Sequence, residues 1–165
     1  MKKILVLLAA IVACSFSSLY GQKYGHINSG EILKAMPGID SVQIKMADFQ
    51  KELENIYQVM VNEFQTKKDK FDKDAGTMTS TVRQLREKEL TDLQSRIMEF
   101  QNSAQEDIEE KQFELLKPFQ DKLQKAINDV AKEGQYSYIF DTQILLYSDG
   151  GEEITAQVKK KLGMK

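Results

Sequence analysis

Two long stretches of this chain contain no glycine, and this absence constrains the fold more than any other feature of the sequence. The stretches run from Ile39 to Ala75 and from Thr77 to Glu133, and Pro118 is the only proline in them. Both are rich in Gln, Glu, Lys, Leu and Met, which are good helix formers. Each stretch is therefore predicted to form one long helix.

Apolar side chains recur in steps of four and three along both stretches, which is the a/d seam of a helix packed along one partner. The seam residues are Val42, Met46, Phe49, Leu53, Ile56 and Met60 in the first stretch, and Leu93, Ile97, Phe100 and Ala104 in the second, which Val82 and Leu85 precede at less regular spacing. Between them, Gly76 can end one helix in the left-handed conformation, and Thr79 or Ser80 can cap the next. The pattern predicts an antiparallel coiled-coil hairpin over residues 41–116 with its tip near 74–80. Each arm would measure about 50 Å or more, at about 1.5 Å per residue.

The flanking segments, residues 22–40 and 117–165, differ in composition, and Pro118 marks the point where the second arm enters them. Three short strands are predicted there, at Tyr24–Asn28, Tyr136–Asp141 and Ile144–Tyr147, because these runs are rich in β-forming residues. Short helices are predicted at Ser29–Met36 and Ile154–Leu162. Three short strands are too few for an independent sheet core, so oligomerisation is expected to complete it. The predicted fold class is mainly α with a small β body, in which a long antiparallel coiled-coil hairpin accompanies short strands that form an oligomeric body.

The N-terminus resembles an export signal. Lys2 and Lys3 precede an apolar run from Ile4 to Ala13 that is too short to span a bilayer, so residues 1–21 are predicted to be a signal peptide cleaved after Gly21. The alternative is a lipobox that ends at Cys14, which would become a lipid-anchored N-terminus. Cleavage after Gly21 would leave no cysteine and 21 Lys and Arg against 25 Asp and Glu, a net charge of −4. That composition excludes disulfides and thiol catalysis and argues against nucleic acid as a partner.

The sequence offers no catalytic or metal-binding pattern. His26 is the only histidine, and no spaced cluster of acidic residues accompanies it. No phosphate-binding loop of the G-x-x-x-x-G-K type is present, so an ATP-driven function is not expected. The acid-rich run from Glu106 to Glu110 is interpreted as a solvated helix face. No enzyme activity and no cofactor are predicted.

The outer half of the hairpin is less regular. Beyond Met60 the apolar stripe continues through Phe64 and Phe71 among lysines, and Met78 lies at the tip, where no partner arm can cover it. Flexible, polarizable methionine suits promiscuous apolar contact, whereas ordinary seam packing is the alternative role. The hypothesis assigns client binding to Met60, Phe64, Phe71, Met78 and Met98. A basic cluster of Lys67, Lys68, Lys70, Lys73, Arg83 and Arg86 near the tip could attract acidic partners or lipid head groups, or could pair with neighbouring acidic residues.

Several short motifs, in order, resemble the Skp/OmpH family of periplasmic chaperones. They are Ile27-Asn28-Ser29-x-Glu31-Ile32-Leu33, Arg96-x-x-Glu99-Phe100-Gln101, Glu114-Leu115-Leu116-Lys117-Pro118 and Ile127-x-x-Val130-Ala131-Lys132-Glu133-x-x-Tyr136. The resemblance implies a homotrimer in which a β-rich body carries three helical tentacles around a cavity that holds unfolded outer-membrane proteins without ATP. By resemblance, Ile27, Ile139, Phe140, Leu145 and Leu146 belong to the trimer body. The well-known enterobacterial members are strongly basic, and this chain is slightly acidic, so it departs from the family in the electrostatic part of client capture.

The leading hypothesis is an ATP-independent periplasmic holdase for unfolded outer-membrane β-barrel proteins. Its partners would be its own copies, these clients and, weakly, a membrane surface. The alternative is a structural or adaptor coiled coil of the cell envelope, with the possible lipid anchor at Cys14. That alternative predicts a specific folded partner and no effect on unfolded proteins.

Overall fold

The computed structural model of the chain describes residues 22–164. The predicted leader and the alternative anchor, Cys14, lie outside the described residues. The elements follow the order β1 (Tyr24–Ile27), α1 (Ser29–Ala35), α2 (Asp40–Asp74), α3 (Ser80–Gly134), β2 (Tyr138–Asp141), β3 (Glu152–Glu153) and α4 (Thr155–Lys161). Two long helices and three short strands confirm the predicted fold class, mainly α with a small β part. None of the helices in this part of the chain combines the length and the apolarity that a membrane span requires.

The chain divides into two compact units, which are described separately below. The hairpin unit runs from Pro37 to Gln120 and contains α2 and the first part of α3. The body unit combines the segment that ends at Met36 with the segment that begins at Asp121. Helix α3 contributes to both units because it continues through Pro118 to Gly134. Proline removes one backbone donor from a helix interior, and Pro118 lies at an exposed position of α3.

At the tip of the hairpin unit, Gly76 does not end α2 in the left-handed conformation that was predicted. Gly76 does not have a positive φ; helix α2 ends at Asp74, and its C-cap residue Ala75 is itself helical, with φ −55°. Other residues satisfy the carbonyl groups that the helix end leaves unpaired. Thr77 N donates to Asp74 O at 3.0 Å, and Arg83 Nη2 donates to Ala75 O at 2.6 Å. The predicted cap of the next helix is confirmed, because Thr79 Oγ1 accepts from Val82 N at 3.4 Å.

The seam of α2 departs from a strict heptad at one position. Ile56 was predicted to lie in the seam but is 42% exposed, and Tyr57 is half-buried in its place. A straight α-helix has 3.6 residues per turn, so a seam with a strict seven-residue repeat drifts around its surface. In α2, two successive steps of four residues, from Phe49 to Leu53 and from Leu53 to Tyr57, move the seam in the opposite direction. They therefore cancel that drift.

The body unit contains a parallel three-stranded sheet in the order β2-β1-β3. Burial alternates along β1, where Gly25 and Ile27 face the core and Tyr24 and His26 lie on the other face. Ile32, Ile154 and Val158 are fully enclosed beside Ile27 in this core. The end of α3 supplies three further buried side chains, which are Leu123, Ala126 and Val130.

The predicted strand at Ile144–Tyr147 is wrong. Gln143 N donates to Asp141 Oδ1 at 2.9 Å and Ile144 N donates to Asp141 O at 3.2 Å, so Asp141 turns the chain directly after β2. The third strand is instead Glu152–Glu153, two residues that are poor β-formers. Strand preference expresses how a side chain packs on a pleated surface, and the apolar run from Ile144 lacks such a surface within the chain.

The end of α3 depends on two residues with different roles. Gln135 adopts a left-handed φ of 54°, and Tyr136 N donates to Ala131 O at 3.0 Å, as in a Schellman ending. Gly134 is needed for space, because a Cβ there would overlap the ring of Tyr136. The glycine at the end of α3 therefore provides space, and the left-handed residue is the next one, Gln135.

We expect Gly134→Ala to destabilise the body by about 1–3 kcal/mol, because the ring of Tyr136 must move. Gln135→Gly should stabilise it by about 0.5–1 kcal/mol, because the left-handed backbone costs glycine least. Denaturant unfolding at one fixed protein concentration measures both changes. The control is Gly150→Ala, where nothing lies within 4 Å and the change should be small. Equal effects of the two alanine substitutions would contradict the role given to Tyr136.

Candidate functional surfaces

The two arms of the hairpin unit meet along a narrow seam that includes charged residues. Lys67 Nζ bonds to the carboxylate of Glu89 across the seam and lies 3.4 Å from Glu63 Oε1. Near the other end, Lys111 Nζ lies 6.0 Å from the ring centroid of Phe49. These pairs establish the antiparallel register of α2 and α3. The first pair also shifts the pKa values of both groups: Glu89 raises the pKa of Lys67, and Lys67 together with Arg86 lowers the pKa of Glu89.

The predicted client-binding residues differ in their exposure. Met98 is 52% exposed and lies off the seam. Met60, Phe64 and Phe71 are half-buried in the seam of α2. Met78 is also half-buried, and it lines a small pocket with Phe71 and Leu90. The expectation that nothing covers Met78 is therefore wrong, because the turn at 75–79 folds this side chain back onto the arms.

Other exposed apolar residues of the hairpin unit were not identified from the sequence. Large side chains at four further positions are more than 60% exposed: Ile44, Val59, Leu85 and Phe113. Ile44, Val59 and Phe113 lie off the heptad seam, and an apolar residue at such a position was the signal that could have found them. Leu85 was expected in the less regular part of the seam but is exposed. Large apolar side chains are therefore exposed at separate positions on both arms.

Most of the basic cluster at the tip is engaged within the hairpin unit. Lys68 Nζ lies 2.6 Å from Asp72 Oδ2, and Arg86 Nη1 lies 2.7 Å from Glu89 Oε2. Lys67 pairs with Glu89, and Arg83 donates to a backbone carbonyl as described above. This arrangement supports the interpretation that these cations mainly pair with their neighbours. Lys70 and Lys73 have no ion pair with any residue in 22–164.

The body unit exposes an aromatic surface on the sheet. The rings of Tyr24 and Tyr138 are 6.0 Å apart and stacked, and those of Tyr138 and Phe140 are 6.1 Å apart and stacked. The three side chains, hereafter the aromatic face, are 41%, 57% and 39% exposed in that order (Tyr24, Tyr138, Phe140). Parallel sheets are normally covered on both faces, so an open aromatic face is unusual.

The residues that were predicted to belong to an oligomeric body have different surroundings. Ile27 is buried in the core of its own chain, and Ile139 is half-buried at the strand position paired with Gly25. Phe140 belongs to the aromatic face, and Leu146 is fully exposed. Leu145 lines a cavity of about 250 Å³ over the same face. Tyr24 and Tyr138 were not predicted from the sequence as members of this surface, and the parallel register brings them beside Phe140.

His26 lies beside the aromatic face without a polar partner. Its Nδ1 atom is buried and accepts or donates no hydrogen bond among the described residues. A Cβ on Gly151 would lie 3.2 Å from this atom, so glycine allows the loop after β2 to pass close to His26. No group of three or more His, Cys, Asp or Glu in residues 22–164 is arranged to hold a metal ion.

A polar cluster connects β3 to the rest of the body unit. Lys23 Nζ lies 2.9 Å from Glu152 Oε2 and 4.1 Å from the ring centroid of Tyr136. Hydrogen bonds from Lys23, then from Tyr136 and Gln157, lower the pKa of Glu152 from 4.5 to about 2. This cluster holds β3 in the body unit, although the two glutamates of β3 are poor β-formers.

A family model described as outer membrane protein (OmpH-like) matches residues 23–162. The chain belongs to this family. Its members are chaperones and not enzymes. The expected resemblance is therefore confirmed over nearly all of the described chain.

Several relatives match this OmpH-like chain along most of its length. Chaperone protein Skp of Photorhabdus luminescens is 27% identical over 164 residues, which cover 98% of this chain and 99% of the relative. Chaperone protein Skp of Yersinia enterocolitica is 25% identical over 146 residues, which cover 88% and 89%. A crystal structure from Caulobacter crescentus, described as an OmpH-like outer membrane chaperone, has a TM-score of 0.69, 13% identity and 89% coverage of both chains. At that identity the structural likeness shows the fold alone.

We expect the body unit to lose stability as the pH falls from about 4.5 to about 2, because the folded-state pKa of Glu152 lies below its ordinary value. The stabilisation is fully present above pH 4.5 and disappears as the carboxylate is protonated. Glu152→Gln should reduce this pH dependence, as measured by denaturant unfolding at several pH values. Lys23→Met should reduce it in part and should add nothing to Glu152→Gln. Additive effects of the two substitutions would contradict the pairing.

Proposed function

We propose that this chain is an ATP-independent periplasmic holdase that binds unfolded outer-membrane proteins in a cavity between helical arms and prevents their aggregation. Family membership supports the chaperone role, and two relatives of similar length carry the name chaperone protein Skp. In this proposal residues 1–21 are a cleaved signal peptide that directs export to the periplasm. Residues 41–116 form a tentacle, and residues 22–40 and 117–165 form an oligomerisation body.

The observation that carries the proposal is the set of large apolar side chains exposed on both arms of the hairpin unit. They lie at intervals, as Val59, Leu85, Met98 and Phe113 do. One such contact is weak, but several contacts within one assembly raise the effective concentration of the next. A client would therefore be held firmly overall while each contact exchanges quickly. No nucleotide is needed for release under this scheme, because a client that folds withdraws its own apolar segments.

The same proposal assigns client contact to Met60, Phe64, Phe71, Met78 and Met98. Met98 offers about half of its surface to a client. The other four contribute only partly exposed surface, so they would act at the edges of the seam. Methionine adapts its shape to different apolar partners, which suits a protein that binds many unfolded sequences.

We propose further that the chain assembles as a homotrimer through the body unit. The open aromatic face supports an assembly, since a parallel sheet with one bare face lacks the cover that such sheets normally have. Ile144, Leu146 and Tyr147 extend this exposed apolar surface, at 75%, 105% and 79% exposure. A surface of this kind on a small body typically marks contact with another protein.

The holdase function predicts that the chain from Gln22 onward suppresses aggregation of a denatured outer-membrane β-barrel protein at stoichiometric ratio without nucleotide, measured by light scattering. Combined replacement of Val59, Leu85, Met98 and Phe113 by Ser should remove most of this effect, because these side chains supply apolar contacts. The matched control replaces four exposed glutamines on the same arms, Gln43, Gln84, Gln94 and Gln112, by Ser. Full aggregation with the unaltered protein would contradict the proposal and would favour the structural or adaptor function.

The assembly predicts a solution mass of three chains, measured by light scattering after size-exclusion chromatography. Phe140→Ser should shift the protein towards single chains, because it removes a ring from the aromatic face. Phe113→Ser, an equally drastic change at a 61% exposed position of the hairpin unit, should leave the mass unchanged. A single-chain mass for the unaltered protein, or equal effects of the two substitutions, would exclude assembly through this face.

A further inference from the structure

The tip of the hairpin unit contains a small pocket with an apolar floor. Phe71 from α2, Met78 from the tip turn and Leu90 from α3 line it, and the cavity has a volume of about 180 Å³. All three side chains are half-buried, so part of each remains available inside the pocket. The pocket exists because Met78 folds back between the two arms. We refer to it as the tip pocket.

The size of the tip pocket limits what can enter it. An apolar cavity of about 150 Å³ in a protein core holds a benzene molecule. Binding sites for whole small molecules and cofactors are larger, about 300–1,000 Å³. At about 180 Å³, the tip pocket therefore fits one aromatic or large aliphatic side chain and is too small for a cofactor.

Charged groups at the rim of the tip pocket select ligands by charge, in addition to the selection by size. Lys67, Lys70 and Arg86 line the tip pocket together with a single acid, Glu89, so the rim carries a net charge of +2. Glu89 is already shared between Lys67 and Arg86. Lys70 has no ion pair among residues 22–164 and is the rim cation most available to a ligand. The complementary ligand has an apolar group beside a carboxylate.

Extended backbone geometry gives the spacing between those two groups. Successive side chains of an extended chain point to opposite sides, and residues two apart lie on one side about 7 Å from each other. A carboxylate two positions from the inserted side chain would therefore point towards the same rim. A carboxylate one position away would point to the opposite side.

We propose that the tip pocket binds one aromatic or large aliphatic side chain of an unfolded polypeptide, with preference for segments that carry an acidic residue two positions away. The inference rests on the proposed holdase function and specifies one of its client contacts. It also gives this mildly acidic chain a local means to attract acidic client segments, although its net charge is negative. Binding of one such segment is weak, as a holdase that releases clients without ATP requires.

The test uses the chain from Gln22 onward with carbon-13 labelled methionine methyl groups, observed by NMR. The probe is the peptide Ser-Gly-Phe-Ser-Asp-Ser-Gly with blocked ends. We expect it to shift the methyl signal of Met78 and not that of Met46, a seam residue far along α2. Replacement of Asp by Lys, or its move to the position next to Phe, should weaken the apparent affinity by about two- to fivefold, the range of one exposed ion pair.

Charge reversal at the rim tests the role of Lys70. Lys70→Glu should remove the preference between the Asp and Lys peptides, because it lowers the net charge of the rim from +2 to zero. Lys73→Glu makes the same change in charge one turn further along α2, outside the pocket lining, and should leave the preference intact. An unmoved Met78 signal, no difference between the Asp and Lys peptides, or equal effects of the two reversals would overturn the proposal. A larger Lys70-dependent shift with vesicles of phosphatidylglycerol than with the peptide would also overturn it, in favour of a lipid surface.

The aggregation assay separates this inference from the holdase proposal. Suppressed aggregation without a shift of Met78 would overturn the tip pocket as a client site and leave the holdase function standing. A peptide-induced shift without suppressed aggregation would support the tip pocket as a peptide site and overturn the holdase function. Circular dichroism of each variant, with helix content equal to that of the unaltered protein, ensures that the comparison concerns binding.

Discussion

The parallel pairing of β1 with β2 is the contact on which the rest of the structure depends. Parallel neighbours cannot be joined by a tight turn and require a long crossover. Here the chain leaves the sheet at Ile27 and returns to it at Tyr138, and the intervening segment contains α1, α2 and α3. Strand β1 also pairs with β3, so it holds both later strands. The sheet therefore forms only when the two ends of the described chain come together.

The second constraint is how little surface two helices can cover. In a two-helix seam about two positions in seven contact the partner, so apolar residues elsewhere stay exposed. In the hairpin unit only Val42 and Leu93 are buried among the large side chains. The seam even accommodates Lys67 and Lys111, because their ammonium groups reach carboxylates at its edge. A surface of this kind offers many small, separate apolar contact points, as the proposed holdase function would require.

Charge in this protein acts locally. The chain from Gln22 onward has a net charge of −4, yet the rim of the tip pocket carries +2. Ionic screening limits the reach of exposed charges to about 8 Å at physiological ionic strength. Under the proposal, an acidic client segment at the tip pocket would therefore respond to Lys70 more than to acidic residues far along the arms.

The sequence by itself determined the long helices, the hairpin, β1, β2 and the lack of a catalytic pattern. These features depend on local signals: absence of glycine, heptad spacing, β-forming runs and the cap at Thr79. Long-range contacts decided the rest. Glu152–Glu153 forms a strand, and Lys23 and Tyr136 bond to Glu152 there. Ile144–Tyr147 does not pair with any strand among the described residues. Met78 became half-buried, and Tyr24 joined Tyr138 and Phe140, because residues far apart in sequence meet only after folding. Local sequence patterns specify the helices and strands. Which side chains become buried depends on the parts of the chain that pack against those elements after folding.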